Sequence, residues 1–284
     1  MIKGLKIRVV VEDSDSQVDV RLWSQHGLSF FLEVDLGPEK MRILMDTGAS
    51  PEVTLHNFAT LKIDPADLDM IILSHGHYDH TGGLVGVLGD VHRRIPVLVH
   101  PQIFSPKLKI SPFLKYIGLP FSQATAEAAG AVFLLSRSPV PLAEGLTTTG
   151  EVKRDEPLET VEGFWTILED LYCQDSILDD QSLVAQVKGK GLVVISGCAH
   201  AGIINTVRQA QRITGIKEVY AVIGGFNLAS ASPERIEATA KSLQRFDPKV
   251  VRPGHCTGQR AVNRLQEVLD DRCQPLACGD AIDL

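Results

Sequence analysis

The sequence predicts an α/β or α+β protein in which two sheets pack face to face with helices outside. Three observations point there. Short apolar runs, each the length of a buried strand, alternate with stretches of helical character. Both halves repeat one plan, a hairpin followed by helices and strands that end in His-bearing turns. The 284 residues are 44% hydrophobic and 22% charged, enough apolar material for a large core and a composition that fits neither disorder nor a fibrous repeat. A chain of this length with layered sheets commonly forms one domain, so residues 1–284 are expected as a single unit.

Met1 to Val11 alternates Lys and Arg with apolar residues and reads as a first strand rather than a signal peptide, which predicts a cytoplasmic protein. Leu28 to Val34 and Met41 to Met45, joined by Gly37-Pro38, read as a hairpin whose second strand ends at Asp46-Thr47-Gly48. A short helix near Thr54 to Leu61 precedes a buried strand, Met70 to Leu73. That strand empties into Ser74-His75-Gly76-His77-Tyr78-Asp79-His80. A helix is expected over Gly82 to Leu88 and a strand over Ile95 to Val99, ending at His100-Pro101. From about 101 to 180 the prolines predict an irregular stretch, read as an insertion that shapes the substrate site, with a plain structural excursion as the alternative.

The second half begins with a hairpin, Leu183 to Val187 and Leu192 to Ile195, followed by Gly197-Cys198-Ala199-His200. A helix over Gly202 to Ile213 and a strand over Glu218 to Ile223 lead to Gly224-Gly225. Ser232 and Pro233 mark a helix start, as N-cap and first-turn proline, and that helix runs to about Phe246. Lys249 to Arg252 is a strand ending in Pro253-Gly254-His255-Cys256. A helix over Gln259 to Leu269 and a last strand near Pro275 to Cys278 complete the chain.

Composition also excludes partners. A net charge of −7 without a Lys/Arg block disfavours nucleic acid, and no apolar run approaches the roughly 20 residues that span a bilayer. A small-molecule substrate is the expected partner. The five cysteines, an odd number, argue against a disulfide framework; Cys198 and Cys256 each sit beside a His in a Gly-containing turn, where a chemical role and simple burial are both open.

The chemistry is concentrated at strand ends. His75 and His77 are two apart in an extended segment, which puts both imidazoles on one face, and neutral imidazole is a ligand for zinc, iron or manganese. Asp79 and His80 fold back from the turn, offering an oxygen and a nitrogen to a second ion, with Gly76, Gly82 and Gly83 supplying backbone freedom. One histidine alone is ordinarily a core or surface residue. Three His and an Asp within six positions after an apolar strand predict a metal site. A loop rarely closes such a site by itself, and His200 and His255 have the same strand-end layout. His100 and Asp46 share it as well, Asp46 in the role of orienting ligand imidazoles by hydrogen bonding.

With its signature His-x-His-x-Asp-His intact over His75 to His80, the sequence resembles the metallo-β-lactamase superfamily. Leu28-Ser29-Phe30, Ser74 to Leu84, Gly197 to Gly202 and His255-Cys256-Thr257-Gly258 resemble one branch of it. That branch holds 7,8-dihydropterin-6-methyl-4-(β-D-ribofuranosyl)aminobenzene-5′-phosphate synthases and metal-dependent hydrolases, and the likeness runs from about residue 26 to 280. It implies a four-layer αββα sandwich with one or two divalent ions, zinc first among them, at one edge. It also implies that His75, His77, Asp79, His80 and His255 are ligands. Two positions depart from the family. Cys198 stands where superfamily members usually carry a bridging Asp, leaving the bridge as oxygen, sulfur or absent, with Asp180 a weaker candidate for the missing ligand. Asn227 stands where the branch usually has His, and a carboxamide hydrogen-bonds but does not transfer protons near neutral pH.

The expected function is a metal-dependent hydrolase acting on a small phosphate-bearing or pterin-like substrate. A divalent ion lowers the pKa of water from about 15.7 towards roughly 7. In this reading His75, His77 and His200 hold one ion and Asp79, His80 and His255 the other, with Asp79, His200 and Asn227 as the catalytic candidates. Lys107, Lys109, Lys115, Lys153 and Arg154 are candidate phosphate contacts, with an ordinary solvated cation as the alternative reading of each. The alternatives are a synthase-type transferase of the dihydropterin kind and a non-catalytic metal- or ligand-binding protein.

Overall fold

The computed structural model describes residues 1–284. In chain order the first half forms β1 (Gly4–Val11), β2 (Ser29–Asp35), β3 (Lys40–Met45), α1 (Pro51–Leu61), β4 (Met70–Ile72), α2 (Tyr78–Thr81), α3 (Leu84–Val91) and β5 (Ile95–Val99). Then come β6 (Leu108–Ile110), β7 (Leu114–Tyr116), α4 (Gln123–Ala128), β8 (Ala131–Leu135), β9 (Pro141–Ala143), β10 (Leu146–Thr148), β11 (Phe164–Leu168) and β12 (Leu171–Gln174). The second half adds β13 (Ser182–Val187), β14 (Gly191–Ser196), α5 (Ile203–Thr214), β15 (Val219–Gly225), α6 (Pro233–Phe246), β16 (Val250–Gly254), α7 (Gln259–Leu269) and β17 (Ala281–Asp283).

Seven strands form one sheet in the order β17-β1-β2-β3-β4-β5-β8, and six form the other in the order β16-β15-β14-β13-β10-β9. Alternation along the strands decides the layering. In β14, Val193 and Ile195 belong to the core between the sheets, while Leu192 and Val194 belong to the core under α5, α6 and α7. In the other sheet Met70 and Ile72 face the partner sheet, and Ile71 and Leu73 face the helices α1 and α3. Both faces of these strands are apolar, so each sheet needs a cover on each side, and the αββα sandwich is the arrangement that supplies it. Burying each such Val, Ile or Leu contributes roughly 1.5–3 kcal/mol.

Local chemistry sets the helix starts. Ser232 caps α6 by accepting from the Arg235 N–H, with Pro233 following, as the sequence predicts. The first helix begins at Pro51 rather than Thr54, because Ser50 accepts from Val53 N–H and Pro51 fits the first turn.

Residues 101–180, expected as irregular, carry regular elements that serve three sheets. β8 extends the first sheet beside β5, β9 and β10 extend the second beside β13, and β6, β7, β11 and β12 form a separate four-stranded sheet in the order β12-β11-β6-β7. These strands are three to five residues long, too short for periodicity to reveal. The last strand is also displaced. Residues 275–278 make only isolated backbone bonds, such as Leu276 N–H to Pro253 and Cys278 N–H to Ser14, and the strand forms at Ala281–Asp283 against β1.

Candidate metal centre

In both sheets the parallel strands β3, β4, β14, β15 and β16 end at one edge, where ligands collect in open α/β sheets. The chain leaves four of those ends, or the turn that follows, through a left-handed residue that is not glycine: Asp46, Ala199, Asn227 and His255, with φ between 48° and 60°. Such conformations are uncommon for a residue with a side chain, although Asp, Asn and His adopt them most readily, and their gathering at one edge marks where the backbone turns to bring side chains together. Glycine enters for a different reason. A Cβ at Gly197 would collide with the Ser74 hydroxyl, so the two sheets meet at this edge only because that atom is missing. Gly82 and Gly83, expected to supply freedom, have ordinary helical-region backbone; a Cβ there would strike the Ala49 and Thr47 carbonyls.

His75, His77 and His200 converge so that one ligand atom from each lies within 4.8 Å of the others, and Asp79, His80 and His255 form a second set under the same bound. A third set links His75, His80 and Cys198, whose Sγ is 3.1 Å from His80 Nε2. The outward nitrogens are fixed from behind. Asp46 accepts from the Ser74 N–H and hydroxyl, each at 2.7 Å, and pairs with His80 Nδ1 at 2.7 Å. The Ser74 hydroxyl also meets His75 Nδ1 at 2.9 Å, and Asp13 meets His255 Nδ1 at 2.7 Å. Each contact leaves Nε2 for the centre, the usual way an imidazole is aimed at a cation.

Burial pushes His75, His77 and His200 well below the usual histidine range, His77 to about 4, so at neutral pH they are neutral and carry free lone pairs. Burial acts the same way on His255, but hydrogen bonds to Asp13 and Asp79 outweigh it and raise its pKa. Both nitrogens of His200 and Nε2 of His77 are buried with no hydrogen-bond partner. An orphaned buried lone pair or N–H costs about 1–3 kcal/mol, and a cation bound at one nitrogen of His200 would remove that cost there, so the donor set fits a metal.

Three contributors escape the sequence reading. Asp13 holds both His255 and His26, and His26 Nε2 lies 3.3 Å from Asp79 Oδ2. Glu12 accepts the His255 N–H at 2.6 Å. The signal was present in Glu12-Asp13, a carboxylate pair at the end of an apolar strand like the others, whereas His26 lies in a loop with no pattern to single it out. Cys256 approaches Cys198 closely enough to form a further candidate set with His255.

Other candidates lie elsewhere or serve structure. His100 is occupied by Glu151 at 2.9 Å and by Gln102 N–H, so it braces the turn after β5. Asp180 joins neither set and accepts from Ala201 N–H at 2.9 Å. Lys107 is 1% exposed and pinned between Asp175 and Asp179, so it cannot reach a phosphate; Asp179 in turn accepts the Gly76 N–H and steadies the metal loop. Lys115 sits over Phe113, Lys153 pairs with Asp155, and Arg154 donates to the Ile177 carbonyl. Lys109 alone of these cations lines the central cavity, which has a volume of about 540 Å³ and is also walled by His77, Asp79, Phe164, Cys198 and Asn227.

A model of the metallo-beta-lactamase superfamily matches residues 26–161. A Methanocaldococcus jannaschii protein named 7,8-dihydropterin-6-methyl-4-(beta-D-ribofuranosyl)-aminobenzene-5′-phosphate synthase is 38% identical over 99% of this chain and 97% of its own length. The crystal structure of a metal-dependent hydrolase of the beta-lactamase superfamily superposes with a TM-score of 0.82 at 27% identity, covering 99% of both chains. Zinc-bound PqqB from Methylobacterium extorquens, at 12% identity and a TM-score of 0.54 over 98% of this chain and 100% of its own, shares the fold. By its sequence, its layered fold and the edge at which its histidines meet, the chain belongs to the metallo-beta-lactamase superfamily.

Proposed function

We propose that the chain is a metal-dependent enzyme of the synthase type, joining a dihydropterin to a ribofuranosyl aminobenzene phosphate or a close analogue. The observation that carries this choice of chemistry is the 38% identity to the M. jannaschii synthase, sustained over 99% of the chain. The geometry supports it. His75, His77 and His200 would hold one divalent ion and Asp79, His80 and His255 a second, with zinc well matched to imidazole and carboxylate donors and iron or manganese also suited. Such ions neutralise charge on a phosphoryl oxygen and orient it. The chain's own residues do the rest. Phe164 offers an apolar wall beside His77 and His200, at ring-centroid distances of 5.2 and 5.3 Å, for a flat ring to lie against. Asp79 has His26, His80 and His255 around it; burial raises its carboxyl, but the neighbouring histidines outweigh that and hold it well below the usual range, so it would orient a proton-bearing group in the cavity as a carboxylate.

Hydrolysis of a small phosphate-bearing substrate is the second reading, favoured by the likeness to the metal-dependent hydrolase. One assay separates the two. The zinc-loaded protein is incubated with a dihydropterin-methyl diphosphate, with and without an aminobenzene-type acceptor, and products are weighed by mass spectrometry. A coupled product supports synthesis; acceptor-independent release of diphosphate alone supports hydrolysis. His77→Ala and Asp79→Ala should abolish either reaction while circular dichroism stays native. Undiminished turnover in both variants would rule out this centre as the active site.

A further inference from the structure

A second chamber of about 380 Å³ adjoins the central cavity, and Glu162, Phe164, Asn227 and Ser230 line both. Arg235, on the first turn of α6, and Thr160 also line the second chamber. The guanidinium is anchored at one corner only, where Nη1 donates to the Thr160 carbonyl at 3.0 Å. Nε and Nη2 are buried and have no partner. Those two nitrogens are the parallel fork of an arginine, the edge that matches two oxygens of a carboxylate or phosphate. Two other arginines fill this fork: Arg264 grips Glu237 through Nε at 2.7 Å and Nη2 at 3.2 Å, and Arg21 grips Asp19 with the same pair. Arg154 and Arg252 leave Nε unpaired but use Nη2, so both donors of the fork stand free at Arg235 and not at these four.

The nearby acids do not fill it. Glu159 spends its two oxygens on the Ile204 and Asn205 N–H groups at the start of α5, at 2.9 and 2.8 Å. Glu162 is exposed at the mouth, and its one hydrogen bond is from the Thr160 hydroxyl at 3.4 Å. An arginine left with two buried unpaired donors is expensive, and an anion that supplied the acceptors would relieve that cost.

We propose that this chamber is an anion subsite, in which the Nε/Nη2 fork of Arg235 holds the phosphate monoester of a sugar phosphate whose other end reaches the metal centre. Ser230 lines both chambers, at the boundary such a ligand would cross. The assignment rests on the reading of the centre as acting on a phosphate-bearing substrate, and it places that phosphate away from the metals.

Calorimetric titration of the zinc-loaded protein with ribose 5-phosphate, ribose and inorganic phosphate tests it. Ribose 5-phosphate should bind more tightly than either of the others. Arg235→Gln should weaken it by about ten- to a hundredfold with zinc content unchanged, the loss expected of a charge-assisted pair. Arg235→Lys should lose less, since it keeps the charge but not the fork. Ser230→Asp, at an exposed position and so safe for folding, should lose at least about tenfold by adding a like charge. Equal affinity for ribose 5-phosphate and ribose, or wild-type affinity in both Arg235→Gln and Ser230→Asp, would overturn the subsite. The coupling assay keeps the two claims apart. Arg235-dependent binding without any coupled product upholds the subsite and removes the synthase reading; coupled product with an unchanged KM in Arg235→Gln does the reverse.

Discussion

Asp46→Asn is the substitution that most directly asks whether the centre is built from behind. The carboxylate is fully buried and takes three hydrogen bonds, two from Ser74 and one from His80 Nδ1, all at 2.7 Å. Asparagine keeps the shape but has one acceptor oxygen. If that oxygen stays with the Ser74 N–H, the amide nitrogen faces the Ser74 hydroxyl and His80 Nδ1, which must either rotate or change tautomer. One charge-assisted bond contributes about 1.5–3 kcal/mol, and an unsatisfied buried donor costs about 1–3 kcal/mol. The fold should therefore lose about 2–4 kcal/mol, measured by urea unfolding of the metal-stripped protein. Because His80 would no longer be held with Nε2 facing the centre, metal affinity should fall by about 10–100-fold, read by competition against a chromogenic chelator. Wild-type stability together with metal affinity within twofold of wild type would refute the claim that Asp46 organises the site.

Three further outcomes are expected. Lys107→Met removes the only cation between Asp175 and Asp179, leaving buried carboxylates uncompensated, and should cost about 3–5 kcal/mol in urea unfolding; a loss under about 1 kcal/mol would mean the trio is not structural. Gly197→Ala forces a methyl group onto the Ser74 hydroxyl where the sheets meet, so stability should drop by about 1–3 kcal/mol and metal affinity with it, by the same two assays. Burial pushes the Glu159 carboxyl up to about 7 from an ordinary 4.5, so the folded protein keeps a proton that the unfolded chain releases. Stability from this group therefore falls as pH rises between about 4.5 and 7, by on the order of 3 kcal/mol at most. Glu159→Gln should remove that slope, whatever its effect on absolute stability, and parallel pH profiles for the two proteins would disprove it.

Much of the frame is legible along the chain because it depends on near neighbours. The 2.0 and 3.6 periods reveal β2, β3, β4, β5 and the run from β13 to α7. Ser232-Pro233 states where α6 begins, since capping needs only the next three residues. The run His75 to His80 declares a metal-binding character by composition alone. Short strands are different: β9, β10 and β17, with three residues each, owe their existence to the edges they pair with, and nothing in their own pattern separates them from loop.

The site divides in the same way. That Asp79 and His80 belong to it is written in six adjacent residues, whereas the contributions of Asp13 and His26 are not, because Asp13 acquires its role by meeting His255 across 242 positions. Lys107 shows the opposite case: as a letter it is an available cation, and only the contact with Asp175 and Asp179, 68 and 72 residues away, makes it a buried strut. The layers and the seed of the centre are readable along the chain, since backbone period and local ligand spacing act over a few residues. Which distant acids aim the imidazoles, and which arginine is left open, emerges only on folding, because those pairings depend on where strand ends from two sheets come to rest.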